Sequence, residues 1–317
     1  MNYVLLLLGF GLLIKGADFF VTGSSNIARL LRVPPILIGL TIVAFGTSSP
    51  EATVSIIAAL EGSSGVSLGN VIGSNIFNIT LVVGLTAIIT PLKVESETIR
   101  KEIPFALLAS IVLLVLVSDV ALQAMSANLL TRSDGFIFLL FFAVFLYYIF
   151  EVVRTSREKI MFEPKTLNDP WGKNIFFTVL GLGAIIFGGD LVVKNSTQIA
   201  FAYGMSETLV GLTIVAIGTS LPELVTSITA ALKKQSEIAL GNIVGSNIFN
   251  ILFVLGASSV ISPLSVSGRI YIDVILMIIL TIVLLLFSRT RFTVGKVEGM
   301  FLVIAYVLYL IFIILRN

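Results

Sequence analysis

Gly39–Glu51 reads GLTIVAFGTSSPE and Gly211–Glu223 reads GLTIVAIGTSLPE, identical at 11 of 13 positions across an offset of 172 residues. The same offset lays Gly69–Ile79 (GNVIGSNIFNI) on Gly241–Ile251 (GNIVGSNIFNI) at 9 of 11 positions, both differences being Val/Ile exchanges. It also places Asp18 on Asp190 and Pro91 on Pro263, and it holds without a gap from about residue 14 to 94. The shared residues are largely polar or glycine, so this is not the trivial similarity of two apolar stretches. The chain is an internal duplication.

The setting of that duplication is a membrane. Of 317 residues 57% are hydrophobic and 12% charged, with a mean hydropathy of +1.08, against about 25% charged in a soluble domain. The apolar runs reach the roughly 20 residues that a helix needs to cross a hydrocarbon core, not the alternating stretches of about 10 of a barrel strand. Ten helices are predicted, near 3–28, 36–60, 66–90, 103–121, 135–153, 174–200, 208–231, 238–261, 270–288 and 298–315. The expected fold class is therefore an all-α membrane protein of ten transmembrane helices. No basic residue precedes the first run and no small-residue cleavage site follows it, so it reads as a retained helix and not a signal peptide.

Each copy holds five spans, an odd number, so the second copy is expected upside down. The basic residues agree. With the N-terminus outside, 15 of the 20 Lys and Arg fall on inner connections: Arg29, Arg32, Lys93, Arg100, Lys101, Arg154, Arg157, Lys159, Lys165, Lys173, Lys233, Lys234, Arg289, Arg291 and Lys296. Arg132, Arg269 and Arg316 stay outside. Across the repeat Arg29 and Arg32 become Phe201 and Gly204, while Glu61 and Gly62 become Lys233 and Lys234. The organisation expected is N-out and C-out, with a first five-helix repeat at 1–153, an inner linker at 154–172 and an inverted repeat at 173–317. Inverted repeats are a transporter architecture, with sites near the midplane where the halves meet.

Six charged residues lie well inside the spans, each costing about 2.5–3.5 kcal/mol on insertion scales at the bilayer centre. Lys15 and Asp18 are three apart, Asp190 and Lys194 four apart, so both pairs share a helix face and are expected to pair. Glu51 and Glu223 have no basic residue within nine positions; a bound cation is the simplest partner, a protonated acid bonding a neighbouring helix the alternative. Thr47 with Glu51, and Thr219 with Glu223, are i, i+4 on one face, with Ser48 and Ser220 adjacent. Pro50 and Pro222 lack the amide that would bond Gly46 and Gly218, so both helices are expected to break there and free carbonyls around Ala44–Gly46 and Ala216–Gly218. Ser74 and Asn78, repeated as Ser246 and Asn250, are again i, i+4 and are expected to add ligands; Gly69, Gly73, Asn70, Asn75 and their copies read equally well as helix–helix glue. Carboxylates, hydroxyls and carbonyls form a hard-oxygen shell suited to calcium and sodium, not to a transition metal.

The paired GTSxPE and GNxxGSNIxN segments resemble the alpha repeats of the calcium:cation antiporter superfamily, specifically prokaryotic sodium/calcium exchangers. The resemblance implies one central site on the second, third, seventh and eighth spans. Its implied ligands are Ala44 (carbonyl), Thr47, Ser48, Glu51, Ser74 and Asn78, with Ala216 (carbonyl), Thr219, Ser220, Glu223, Ser246 and Asn250. The first and sixth spans would slide to alternate access. Where several exchangers of this family carry an aspartate, this chain has Asn250, which leaves two carboxylates and a formal site charge of −2.

These features imply a sodium/calcium antiporter of a prokaryotic cell membrane. Calcium, sodium and lipid are the expected partners; no resident cofactor, nucleic acid or obligate protein partner is expected. A proton/calcium antiporter is the nearest rival, since glutamates carry protons. An enzyme is disfavoured: zero His and zero Cys remove Ser-His, thiol and ordinary zinc chemistry, and the GTS segments hold no lysine for a Ser-Lys pair. A two-aspartate protease on Asp18 and Asp190 conflicts with the lysines beside them. A passive channel fits inverted repeats with broken helices less well than a carrier does.

Overall fold

The computed structural model describes residues 2–95, 98–160, 170–203 and 216–316. Its helices are α1 (Asn2–Leu31), α2 (Pro35–Thr47), α3 (Ser49–Leu60), α4 (Ser64–Ile89), α5 (Ile103–Leu116), α6 (Asp119–Gln123) and α7 (Arg132–Ile160). The second half contributes α8 (Trp171–Ala202), α9 (Ala216–Thr219), α10 (Leu221–Leu232), α11 (Ser236–Ile261), α12 (Gly268–Arg291) and α13 (Lys296–Arg316). Among the described residues α1, α4, α7, α8, α11, α12 and α13 are each long and apolar enough to cross a membrane, and α2 with α3 adds one broken span bent by 49°. The start of the expected seventh span, 208–215, lies outside the described residues. The outer faces of these helices carry large apolar side chains such as Leu7, Leu140, Phe150, Val179, Leu286 and Leu308. A protein in water would turn such side chains inward; here they meet lipid. This is a multi-pass integral membrane protein.

The duplication is visible as matched elements. α3 and α10, α4 and α11, and the short α9 and the end of α2 (Ala44–Thr47) begin at equivalent positions 172 residues apart. α4 and α11 both widen into an i→i+5 turn starting at Asn78 and Asn250, a local underwinding common at functional sites. Nothing in the residue pattern foretold that widening.

The expectation of an all-α chain needs one amendment. Two small antiparallel ribbons tie the connections together: β1 (Leu92–Lys93) pairs with β4 (Thr293–Val294), and β2 (Asn128–Leu130) pairs with β3 (Leu264–Val266). Pro91 and Pro263 explain two of the strands. Each drives the residue before it out of the helical region, Thr90 to φ −143, ψ 117 and Ser262 to φ −144, ψ 126, and so launches extended chain. Each ribbon joins one repeat to the other.

α1 and α8 pack antiparallel along a seam of glycines. A Cβ on Gly16 would lie 2.9 Å from Gly181 O, and one on Gly188 would lie 2.9 Å from Gly9 O. Small residues allow this backbone approach, which is how helices associate where lipid removes the hydrophobic drive between them. Of the two expected pairs, Lys194–Asp190 forms at 2.8 Å. Asp18 does not take Lys15. It meets Lys233, which follows α10, at 2.6 Å, and that ammonium also donates to Asp18 O and Thr22 Oγ1, each at 2.6 Å. Three acceptors on one turn outcompete a single neighbour on the same helix.

Candidate cation site

The breaks fall where proline dictates. Pro50 and Pro222 occupy the first turns of α3 and α10, where the missing amide costs nothing, and the hinge residues before those helices turn out of the helical region. Ser48 (φ −83, ψ 9) and Ser220 (φ −92, ψ 7) have almost the same backbone geometry. One detail differs from the expectation of freed carbonyls. The Ala44 carbonyl accepts the Ser48 amide at 3.0 Å, because the chain keeps one more helical bond before turning; the amide that Pro50 lacks is the one Gly46 would have received. In the second hinge the Ser220 amide bonds Ile217 O at 3.2 Å, a tighter turn. Ala216, which opens α9, has its side chain outside the described residues.

Each hinge serine serves the carboxylate of the opposite repeat. Ser48 Oγ donates to Glu223 Oε1 at 2.8 Å, and Ser220 Oγ donates to Glu51 Oε1 at 2.9 Å. Ser74 Oγ lies 2.9 Å from Ser220 Oγ, which brings α4 to the same cluster. Ser246 Oγ reaches Ala44 O at the long distance of 3.5 Å. Thr47 Oγ1 lies 3.0 Å from Asn242 Oδ1, and Thr219 Oγ1 lies 3.4 Å from Asn70 Oδ1. Ser48, Glu51, Asn78, Ser220, Glu223, Ser246 and Asn250 are completely buried, and Thr47 is too. Thr47, Ser48, Glu51, Ser74, Thr219, Ser220, Glu223 and Ser246 thus all make contacts across the repeat boundary, as do Asn78 and Asn250.

Two kinds of residue that read equally well as helix–helix glue hold this cluster in place. Asn70 Nδ2 donates to Glu51 O (3.1 Å) and Ser55 Oγ (2.9 Å); Asn242 Nδ2 does the same to Glu223 O (3.4 Å) and Ser227 Oγ (2.9 Å). Asn75 and Asn247 bond across the repeat boundary to Asn250 and Asn78. The signal for both was present, since each is duplicated at the 172-residue offset. Only contacts distinguish holding from glueing. The close approach itself needs glycine: a Cβ on Gly241 would lie 2.6 Å from Ile36 O, and one on Gly245 would lie 2.7 Å from Leu40 O.

After these bonds are made, four carboxylate and amide oxygens of the site have no donor among the described residues: Glu51 Oε2, Glu223 Oε2, Asn78 Oδ1 and Asn250 Oδ1. They form two repeat-related pairs. Buried acceptors left without donors cost about 1–3 kcal/mol each, more when charged. The carboxylates bond serine hydroxyls, while the ion pairs of Asp18, Asp190 and Asp273 lie elsewhere. Among the described residues no cluster of three or more Asp, Glu, His or Cys side chains could hold a metal ion, so the charge here is that of two glutamates. Oxygen acceptors of this kind, with serine and threonine hydroxyls beside them, are what a hard cation such as calcium or sodium requires.

A membrane protein of interlocked repeats that buries two carboxylates in an oxygen-lined cluster where they meet falls in the class of cation carriers. Comparison with known proteins narrows the class: residues 1–151 and 173–315 match the family described as sodium/calcium exchanger protein, and the chain belongs to it. It is 41% identical to CaxA of Alkalimonas amylolytica over 96% of each chain. It is 33% identical to the sodium/calcium exchanger MaX1 of Methanosarcina acetivorans, covering 98% of this chain and 97% of that one. The solved structure of the sodium-calcium exchanger NCX_Mj superposes with a TM-score of 0.82 at 32% identity, over 97% of both chains. The relatives that carry an activity in their names are exchangers, and the family is one of membrane antiporters for calcium and sodium.

Proposed function

We propose that this protein extrudes calcium in exchange for sodium entering down its gradient, through one central site that the two ions share. The observation that carries the reading is the set of four donor-less oxygens on Glu51, Glu223, Asn78 and Asn250 at the junction of the repeats. Glu51 and Glu223 are the charged ligands; Thr47, Ser48, Ser74, Thr219, Ser220, Ser246 and the Ala44 and Ala216 carbonyls complete the shell. No resident cofactor is needed, since calcium and sodium are the cargo.

The coupling follows from electrostatics. An empty site of charge −2 is costly to carry past an apolar barrier, whereas the same site loaded with calcium or sodium is close to neutral and can switch. That rule links the two fluxes without covalent chemistry. The chain crosses the membrane ten times, N-out and C-out, in two five-helix halves joined by the inner linker 154–172. The β1–β4 ribbon supports this, because it ties together two connections that both carry the basic residues of the inner side, and β2–β3 ties two that do not. α1 and α8, locked by their glycine seam, move as one body against the site.

Proteoliposomes loaded with sodium and diluted into sodium-free or sodium-matched buffer test the reading through uptake of radioactive calcium. Uptake is expected only with the sodium gradient and is expected to vanish in Glu51→Gln. Uptake that ignores sodium but follows an imposed pH gradient would establish the proton/calcium antiporter instead.

A further inference from the structure

We infer that Asn75 and Asn247 are positioning residues for the cation site, each acting through an asparagine of the opposite repeat. The inference rests on the central-site reading above.

Both side chains are buried, three residues before Asn78 and Asn250 on α4 and α11. Asn75 Nδ2 donates to the main-chain carbonyl of Asn247 at 3.3 Å. A carbonyl can only accept, so this bond settles which way the Asn75 amide faces. Its Oδ1 is then the atom that Asn250 meets, and Asn250 answers with Nδ2 at 3.2 Å. On the other side Asn247 Oδ1 accepts from Asn78 Nδ2, also at 3.2 Å.

The consequence lies at the far end of each amide. An asparagine amide carries two donors on one arm and an acceptor on the other, and rotation about its last bond exchanges them. With both Nδ2 groups held across the repeat boundary, Oδ1 of Asn78 and Oδ1 of Asn250 are left as buried acceptors without donors. These are the arms a cation wants. If the clamp were absent, either amide could turn its NH2 toward the ion and repel it. Clamping also supplies neutral ligands, so the fixed charge stays with Glu51 and Glu223. The two clamps join α4 to α11, and the Asn75 side chain spans from Asn247 O to the Asn250 side chain, holding that ligand against its own helix.

The test is a double-mutant cycle read on the calcium KM of sodium-driven uptake, in Asn75→Ala, Asn250→Ala and the double variant. The mirrored set is Asn247→Ala, Asn78→Ala and their double. In Asn75→Ala and in Asn247→Ala, where a clamp is lost and the ligand kept, KM is expected to rise about tenfold, more than the maximal rate changes. In the Asn250→Ala background, Asn75→Ala is expected to add nothing, because the residue through which it acts is gone. A packing role alone would lower the unfolding midpoint, measured in parallel, yet would not produce this saturation in KM. Effects that multiply in both cycles, or an unchanged KM in both Asn75→Ala and Asn247→Ala, overturn the inference. Should one set not fold, the mirrored set decides on the same criteria. If Asn78→Ala and Asn250→Ala themselves leave KM unchanged, the ligand assignment fails first, and that outcome is distinct from failure of the clamp.

Discussion

Replacing Gly181 by Ala probes the packing on which the α1–α8 unit depends. A Cβ at that position would lie 2.5 Å from Phe20 N, 2.7 Å from Gly16 O and 2.8 Å from Phe20 Cα. All three are backbone atoms, so no side chain can swing away; the helices must part by roughly an ångström to reach ordinary contact. Overpacking of this kind costs about 1–3 kcal/mol, while Ala in place of Gly inside a helix returns about 0.8–1.0 kcal/mol. Gly183, two residues on in the same helix, separates the two terms: a Cβ there meets nothing within 4 Å. Gly183→Ala therefore carries the propensity gain alone, and Gly181→Ala is expected to be less stable than Gly183→Ala by the full overpacking cost of about 1–3 kcal/mol. Unfolding of the purified protein in mixed micelles, followed by circular dichroism, measures the difference. Equal stability of the two variants, or a more stable Gly181→Ala, would show that the close crossing is not there and remove the basis for treating α1 and α8 as one body.

Two further perturbations test other parts of the structure. Ser48→Ala and Ser220→Ala each remove a hydroxyl bond to a buried carboxylate of the other repeat; such bonds are worth about 1.5–3 kcal/mol, so each variant should weaken calcium binding by roughly 10- to 100-fold, and a change under twofold in both would exclude the cross-repeat contact as a determinant of affinity. Lys234 holds a left-handed backbone (φ 61) at the turn where the first repeat has Gly62 (φ 75); Lys234→Gly should therefore raise stability by about 1 kcal/mol, and a loss of stability would mean that the lysine side chain contributes more than the strain it imposes.

That lysine also illustrates how sequence and structure divide the account. Basic residues at 233 and 234, where the first copy has Glu61 and Gly62, mark a loop expected to face inward, and this is an expectation from charge that needs no coordinates. The strain at Lys234 became visible only with the backbone, because glycine's freedom in the first copy gives no hint of whether the second copy keeps the same turn. Likewise Lys15 was the nearest candidate for Asp18 along the helix. The partner is Lys233, 215 residues away, because α10 ends beside α1. The four strands were illegible for a related reason. Two or three residues of extended chain carry no periodicity, although Pro91 and Pro263 stand just past the ends of the two helices.

By itself the sequence determined a duplicated, membrane-embedded helical chain with hard-oxygen side chains at matched depths. Composition, period and repetition are local or additive properties that a list of residues already contains. Which oxygens are left without a donor was decided only by the tertiary structure. The hinge serines cross to the carboxylates of the opposite half, and the paired asparagines take up each other's donors. A hydrogen bond's direction depends on two partners meeting in space. Within the site, one oxygen each of Glu51, Glu223, Asn78 and Asn250 is left without a donor among the described residues once those bonds are made.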